Sequence, residues 1–89
     1  MILPDVNVLV YAFRQESVRH TAYADWLAGL VSGEDELALN DQVLGGFVRI
    51  VTNRRIYTDP APTATALAFV DALRAARRAR WLPAGDAAW

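Results

Sequence analysis

Residues 1–13 read Met-Ile-Leu-Pro-Asp-Val-Asn-Val-Leu-Val-Tyr-Ala-Phe, and this stretch decides the fold class. Its first part, Met1–Asp5, is short, apolar and ends at a carboxylate, which predicts a short buried strand. The apolar run that follows is compatible with strand or helix by periodicity alone, but Asn7 is a good helix N-cap. We therefore expect a strand, a sharp turn after Asp5 and a short helix up to Phe13.

The rest of the chain continues this alternation of strand and helix. The predicted elements are a helix over 20–31, a strand over 37–39, a helix over 43–51, a helix over 64–76 and a strand over 80–82. Asn40 or Asp41 is expected to cap the third helix and Thr63 the fourth, in which Leu67 is expected to face inward. Residues 83–89 resemble the start of another element.

Strands that alternate with helices indicate an α/β fold, a parallel sheet with helices on both faces. Three predicted strands are few for such a sheet, so we expect the fold to be incomplete, with a naturally minimal fold as the alternative. The length of 89 residues corresponds to one domain.

Composition narrows the chemistry of any site. The chain has no cysteine, which excludes a disulfide framework and a thiolate zinc site, and its single histidine excludes a histidine-clustered metal site. Any metal must therefore rest on carboxylates. No apolar run is long enough to span a membrane, and an acid stands where a secretory signal has basic residues, so we expect no membrane partner and a cytoplasmic location.

Charge is unevenly distributed along the chain. Residues 1–45 carry two Arg against seven acidic residues, a net charge of −5, whereas residues 46–89 carry seven Arg against three acidic residues, a net charge of +4. This asymmetry permits an acidic metal pole and a basic face for a polyanion, and it is equally compatible with uneven solvation of helix faces.

Asp5 is the leading candidate for a functional residue, because ligands of α/β folds bind at the carboxyl ends of the strands. A carboxylate there can hold a hard cation such as Mg²⁺ or Mn²⁺. Asn7, two residues on, has the same strand parity and is expected to lie beside it, in a cleft. The alternative is a turn Asp and an N-cap Asn with purely local roles.

Two families place a catalytic Asp at the end of the first strand. Haloacid-dehalogenase-like phosphatases have a second Asp two residues later, where this chain has Asn7, whereas PIN-domain nucleases have Asn or Ser there. The whole chain resembles the VapC family of PIN-domain toxins of type II toxin–antitoxin systems. The matching stretches are Asp5–Ala12, Arg19-His20 ahead of Trp26-Leu27, Val43–Asn53, Arg55-Ile56, Ala68–Leu73 and Trp81–Gly85.

This resemblance implies a Mg²⁺-dependent endoribonuclease, with Mn²⁺ as an alternative metal, that a VapB-like antitoxin protein inhibits. In such an enzyme carboxylates hold the metal, which binds the scissile phosphate and activates water. It implies that Asp5 is a catalytic metal ligand. Asn7, beside Asp5, and Asp41, at the start of the third helix where it could substitute for a missing acid, are candidates for supporting roles. Arg54 and Arg55 flank a loop and are expected to contact RNA phosphates.

The chain departs from the family pattern at the other acids. The second acid of the family precedes the aromatic residue of the third helix, where this chain has Gly46, and the later acids are absent. Asp41 lies five residues from Gly46, about 140° around a helix, so it does not project from the same place. We therefore expect residues 1–89 to be the N-terminal part of a PIN-like domain, in a C-terminally truncated chain.

The missing acids leave a second interpretation open. In it the chain is a catalytically inactive PIN remnant that binds an antitoxin or associates with a second copy of itself as a homodimer. The remaining polar residues have local interpretations. His20 is expected to open the second helix, Arg49 and Thr52 to position the loop that follows the third helix, and Asp71 and Asp86 to face solvent.

Overall fold

The computed structural model describes residues 1–83. The described helices are α1 (Val6–Phe13), α2 (His20–Ser32), α3 (Asp41–Val51) and α4 (Thr63–Arg74), and the strands are β1 (Leu37–Leu39) and β2 (Ala79–Trp81). The predicted mixed α/β class is confirmed. The element expected over residues 83–89 lies outside the described residues from position 84 onward. Among the described helices, none has the length and apolar character that crossing a membrane requires.

The sheet is parallel and centred on β1. Leu37 lies opposite Ala79 and Leu39 opposite Trp81, so β1 and β2 run side by side in register. All three residues of β1 are buried, so both of its faces are covered, as is usual for a parallel sheet.

The strand predicted over Met1–Asp5 is wrong in length, since only Ile2 pairs, as an isolated parallel bridge to Leu37. The amide of Ile2 donates to the Glu36 carbonyl and its carbonyl accepts from Ala38, both at 2.8 Å. Residues two apart on a strand face the same edge, so position 4 is the next to pair. Proline has no amide hydrogen to donate, and the ladder stops there.

Two predicted helix caps are wrong by one or two residues. Asp5, not Asn7, is the N-cap of α1: its backbone is extended, at φ −71° and ψ 154°, and its carbonyl accepts from Val8 and Leu9. Pro62, not Thr63, is the N-cap of α4, with φ −60° and ψ 145°. The fixed φ of proline suits this extended residue before the first turn.

Three phenylalanines join α1, α3 and α4 in the core. Phe47 is fully buried, and its ring centroid lies 5.2 Å from Phe13 and 5.0 Å from Phe69. The buried stripe of α4 is Ala66, Val70 and Leu73. Leu67, expected to face inward, is 47% exposed, because it lies about 100° around the helix from the first residue of that stripe.

Candidate functional site

Asp5 stands at the carboxyl end of the first segment that pairs with the sheet and immediately before α1. Its side chain is exposed and makes no hydrogen bond to the amides of the first turn, although the residue occupies the N-cap position. It also forms no ion pair with another residue of the described range 1–83. Both carboxylate oxygens of Asp5 are therefore free to accept an external ligand.

The argument from strand parity that placed Asn7 beside Asp5 does not apply, because Asn7 is exposed and is the second residue of α1. Residues two apart on a helix do not face each other. A supporting role for Asn7 therefore stays a prediction.

Gly46 lies where α3 contacts α1. A Cβ atom at this position would lie 3.3 Å from Cγ2 of Val6, the residue that follows Asp5. Gly46 is also the position at which the family pattern has its second acid. Gly46 therefore lies next to the segment that carries Asp5.

The guanidinium of Arg49 extends back along α3 over the two glycines. Its Nη1 lies 3.4 Å from a Cβ position on Gly45, and its Nη2 lies 3.8 Å from that on Gly46. Arg49 forms no ion pair within residues 1–83. Its guanidinium lies beside α3 itself, so the expectation that Arg49 positions the loop after this helix has no support from its contacts.

Asp41 is the first residue of α3 and is exposed. The N-cap of this helix is Asn40, which is buried and whose side-chain oxygen accepts from the Val43 amide at 2.8 Å. Asp41 therefore has no capping role, and its carboxylate makes no ion pair in the part of the chain that the structure covers.

These carboxylates do not come together as a complete metal site. Over residues 1–83, no group of three acidic or histidine side chains is arranged so as to hold a metal ion. The chemistry of Asp5 nevertheless fits one ligand of a hard divalent cation, because the carboxylate is exposed and makes no bond of its own. His20 contributes nothing to such a site: it opens α2, as predicted, and its Nδ1 lies 3.2 Å from the Tyr11 carbonyl.

Arg54 and Arg55 are exposed in the loop between α3 and α4. The amide of Arg55 donates to the Asn53 side chain at 2.8 Å, which shapes the turn as an Asx motif. Thr52 donates its hydroxyl hydrogen to the Val48 carbonyl at 2.7 Å, at the C-terminal end of α3. The two guanidinium groups make no ion pair within the described range, so they are available to phosphate oxygens.

Arg14, at the end of α1, anchors this loop and was not singled out by the sequence. Its guanidinium lies 4.0 Å from the centroid of the Tyr57 ring and donates to the Asp59 carbonyl at 3.0 Å. It also pairs with Glu16, and its side chain is only 13% exposed. No sequence pattern pointed to this residue, because its partners in the loop, Tyr57 and Asp59, lie more than 40 positions along the chain.

Comparison with known proteins identifies relatives of this chain. No protein-family model matches the chain. A VapC ribonuclease of Mycobacterium bovis and ribonuclease VapC43 of Mycobacterium tuberculosis are each 45% identical to it over 89 residues, which is 100% of this chain and 60% of each relative. Ribonuclease VapC25 of Mycobacterium tuberculosis is 40% identical over 75 residues, which is 84% of this chain and 53% of that relative.

The chain thus spans about 60% of the length of the curated relatives that it matches over all its residues. Identity at this level along the whole sequence goes together with a mixed α/β structure that has a small parallel sheet and four described helices. The chain is thus similar along its whole length to proteins named VapC ribonucleases, and its mixed α/β structure agrees with the PIN-like fold that these relatives imply.

Proposed function

We propose that this chain acts in the hydrolysis of RNA phosphodiesters as a metal-dependent endoribonuclease toxin of a toxin–antitoxin pair. The observation that carries the proposal is the 45% identity along all 89 residues to relatives that are named ribonucleases. The placement of Asp5 agrees with it, since this carboxylate stands at the carboxyl end of the first paired segment.

In this proposal Asp5 holds one Mg²⁺ or Mn²⁺ ion. When bound, a divalent cation polarises the phosphate, lowers the pKa of water and stabilises the leaving oxygen. Arg54 and Arg55 would hold flanking phosphates of the RNA, since arginine makes paired hydrogen bonds to phosphate oxygens. Asn7 and Asp41 remain proposals for supporting roles, and their exposure at the starts of α1 and α3 permits them.

The proposed protein partner is a VapB-like antitoxin, and the proposed location is the cytoplasm. Both follow from the similarity to VapC ribonucleases. The antitoxin would have to hold the toxin inactive by limiting access of RNA to Asp5, which is exposed in the chain alone.

The test is cleavage of a long single-stranded RNA by the purified chain, with and without Mg²⁺. We expect cleavage that is lost in EDTA, restored by Mg²⁺ and lost in Asp5→Ala. The matched control is Asp71→Ala, which removes an exposed carboxylate on α4 and should leave cleavage unchanged. Cleavage that persists in Asp5→Ala, or that is insensitive to EDTA, would reject the proposal.

A second candidate function is a catalytically inactive PIN module that binds an antitoxin or a second copy of itself. The observation in its favour is that residues 1–83 bring no group of three potential metal ligands together. It predicts no metal-dependent cleavage by the wild-type chain, with unimpaired binding of the protein partner in Asp5→Ala.

A further inference from the structure

Trp81 is a tryptophan exposed at the edge of the sheet. It is the last residue of β2, and 45% of its surface is accessible to solvent. It lines a cavity of about 210 Å³ together with Leu39, Arg74, Ala79 and Arg80. A cavity of about 150 Å³ accommodates one benzene molecule, so this one has room for a single planar ring beside the indole.

Two arginines lie close to this indole. The guanidinium of Arg74 lies 5.4 Å from the centroid of the Trp81 ring, within the range of a cation–π contact, and it forms no ion pair within residues 1–83. Arg80 pairs with Glu36 at 3.0 Å but keeps 63% of its side chain exposed. Arg77 and Arg78 line a neighbouring cavity together with Arg80. The surface beside Trp81 is therefore electropositive.

Trp81 and Asp5 lie at the same end of the sheet, where the parallel segments have their carboxyl ends. Three parallel segments lie side by side, with Ile2, Leu37 and Ala79 opposite one another. All three segments run in the same direction, toward Asp5, Asn40 and Trp81. Adjacent strands are about 4.8 Å apart, so the backbones of Ile2 and Ala79 are separated by roughly 10 Å across β1, and Asp5 and Trp81 follow these two residues at the same end of the sheet. A single-stranded nucleic acid that reaches Asp5 can reach Trp81 within a few nucleotides.

We propose that Trp81 is a stacking platform for one base of single-stranded RNA, while Arg74 and Arg80 contact the adjacent phosphates. An exposed aromatic ring flanked by cations is the arrangement that single-stranded nucleic acids need, because every base has a π-face and every nucleotide a charge. The identification of the ligand as RNA rests on the function proposed above. The position of the subsite rests on the surroundings of Trp81 alone.

The test measures binding under conditions that exclude cleavage. A fluorescein-labelled single-stranded RNA of about ten nucleotides is titrated in EDTA with wild-type chain, Trp81→Ala and Trp26→Ala. Trp26 is the matched control, since it is 43% exposed and no arginine within the described range lies over its ring. We expect Trp81→Ala to weaken binding by about 5- to 150-fold and Trp26→Ala by less than about twofold.

A spectroscopic readout separates stacking from a structural role. In a Trp26→Phe/Trp89→Phe background Trp81 is the only tryptophan, and single-stranded RNA should quench its fluorescence. Duplex RNA of equal length should not, because its bases are already stacked. Circular dichroism checks that each variant is folded.

Equal weakening by Trp81→Ala and Trp26→Ala, absence of quenching, or equal quenching by duplex RNA would each overturn the subsite. Quenching without metal-dependent cleavage would support the subsite while rejecting the nuclease proposal. Metal-dependent cleavage without quenching would support the nuclease proposal and reject the subsite.

Discussion

The Cβ position of Gly46 lies 3.3 Å from Cγ2 of Val6, so α3 contacts α1 at the residue that directly follows Asp5. An acidic side chain in place of Gly46 would begin next to the segment that carries the predicted metal ligand. The contact is tight enough that the side chain of Val6, which is half-buried against the core, must shift by a few tenths of an ångström.

The first prediction concerns metal affinity. One carboxylate holds Mg²⁺ weakly, because this ion keeps its waters, so the wild-type chain should bind Mg²⁺ at millimolar strength or not at all. Gly46→Glu should tighten binding by about tenfold, since a second charge near the ion contributes about 1 kcal/mol or more. Titration calorimetry measures both. Gly45→Glu, on the neighbouring position, is the control and should change little. Micromolar binding by the wild type would contradict the prediction.

The second prediction compares two N-caps. The Asn40 side chain accepts from the Val43 amide and is buried, so Asn40→Ala should lower the free energy of unfolding by about 1–2 kcal/mol. The Asp5 side chain makes no capping bond, so Asp5→Ala should cost less than about 0.5 kcal/mol. Urea unfolding followed by circular dichroism measures both. A loss of the same size in the two variants would show that Asp5 is a structural cap.

The third prediction concerns Arg14, which holds the loop of Arg54 and Arg55 through Tyr57 and the Asp59 carbonyl. Arg14→Ala should lower the free energy of unfolding by about 1–2 kcal/mol, from one cation–π contact and one charged hydrogen bond. It should also raise the protease sensitivity of the loop. Arg19→Ala, at an exposed arginine, is the control for charge. If limited proteolysis cuts both variants at the wild-type rate, Arg14 does not anchor the loop.

The fourth prediction concerns acid. A hydrogen bond from its own backbone amide, with a smaller contribution from Arg14, lowers the pKa of Glu16 from its ordinary value of 4.5. A carboxyl group whose pKa is lower in the folded protein than in the unfolded chain stabilises the folded protein above pH 4.5. This stabilisation is lost as the pH falls through the pKa of the folded protein. Glu16→Gln should therefore lose less stability than the wild type on acidification below that value. Thermal melts across this range measure the difference, and parallel curves would refute it.

The fifth prediction concerns self-association. Ile2 uses both of its backbone groups on Glu36 and Ala38, and the next residue, Leu3, is 43% exposed with no backbone partner among the described residues. An exposed apolar edge favours pairing with another chain, so we expect a concentration-dependent dimer that Leu3→Lys weakens. Val18→Lys is the control, because Val18 is an isolated, fully exposed apolar residue. Sedimentation velocity that shows one monomeric species at every concentration would contradict it.

The pattern of apolar and turn-forming residues along the sequence predicted most helices and strands correctly. Helical spacing of apolar residues located α2, α3 and α4 within two residues of their bounds, the margin by which helix ends normally vary. The short strand before Asn40 was also predicted correctly, because a short apolar run between turn signals is typical of a buried strand. The family resemblance singled out Asp5 as a candidate ligand, and this role stays a prediction.

The tertiary structure decided what periodicity does not encode. The first strand is limited to Ile2 because Pro4 cannot donate a hydrogen bond at the next pairing position, which matters only once β1 lies beside it. Long-range contacts alone revealed that Arg14 anchors the loop, and the folded structure showed that Arg74 lies over the Trp81 ring. The sequence by itself determined the elements and the candidate ligand, because these depend on neighbours in the chain. Which side chains meet depends on segments distant in the chain, and only their packing settles it.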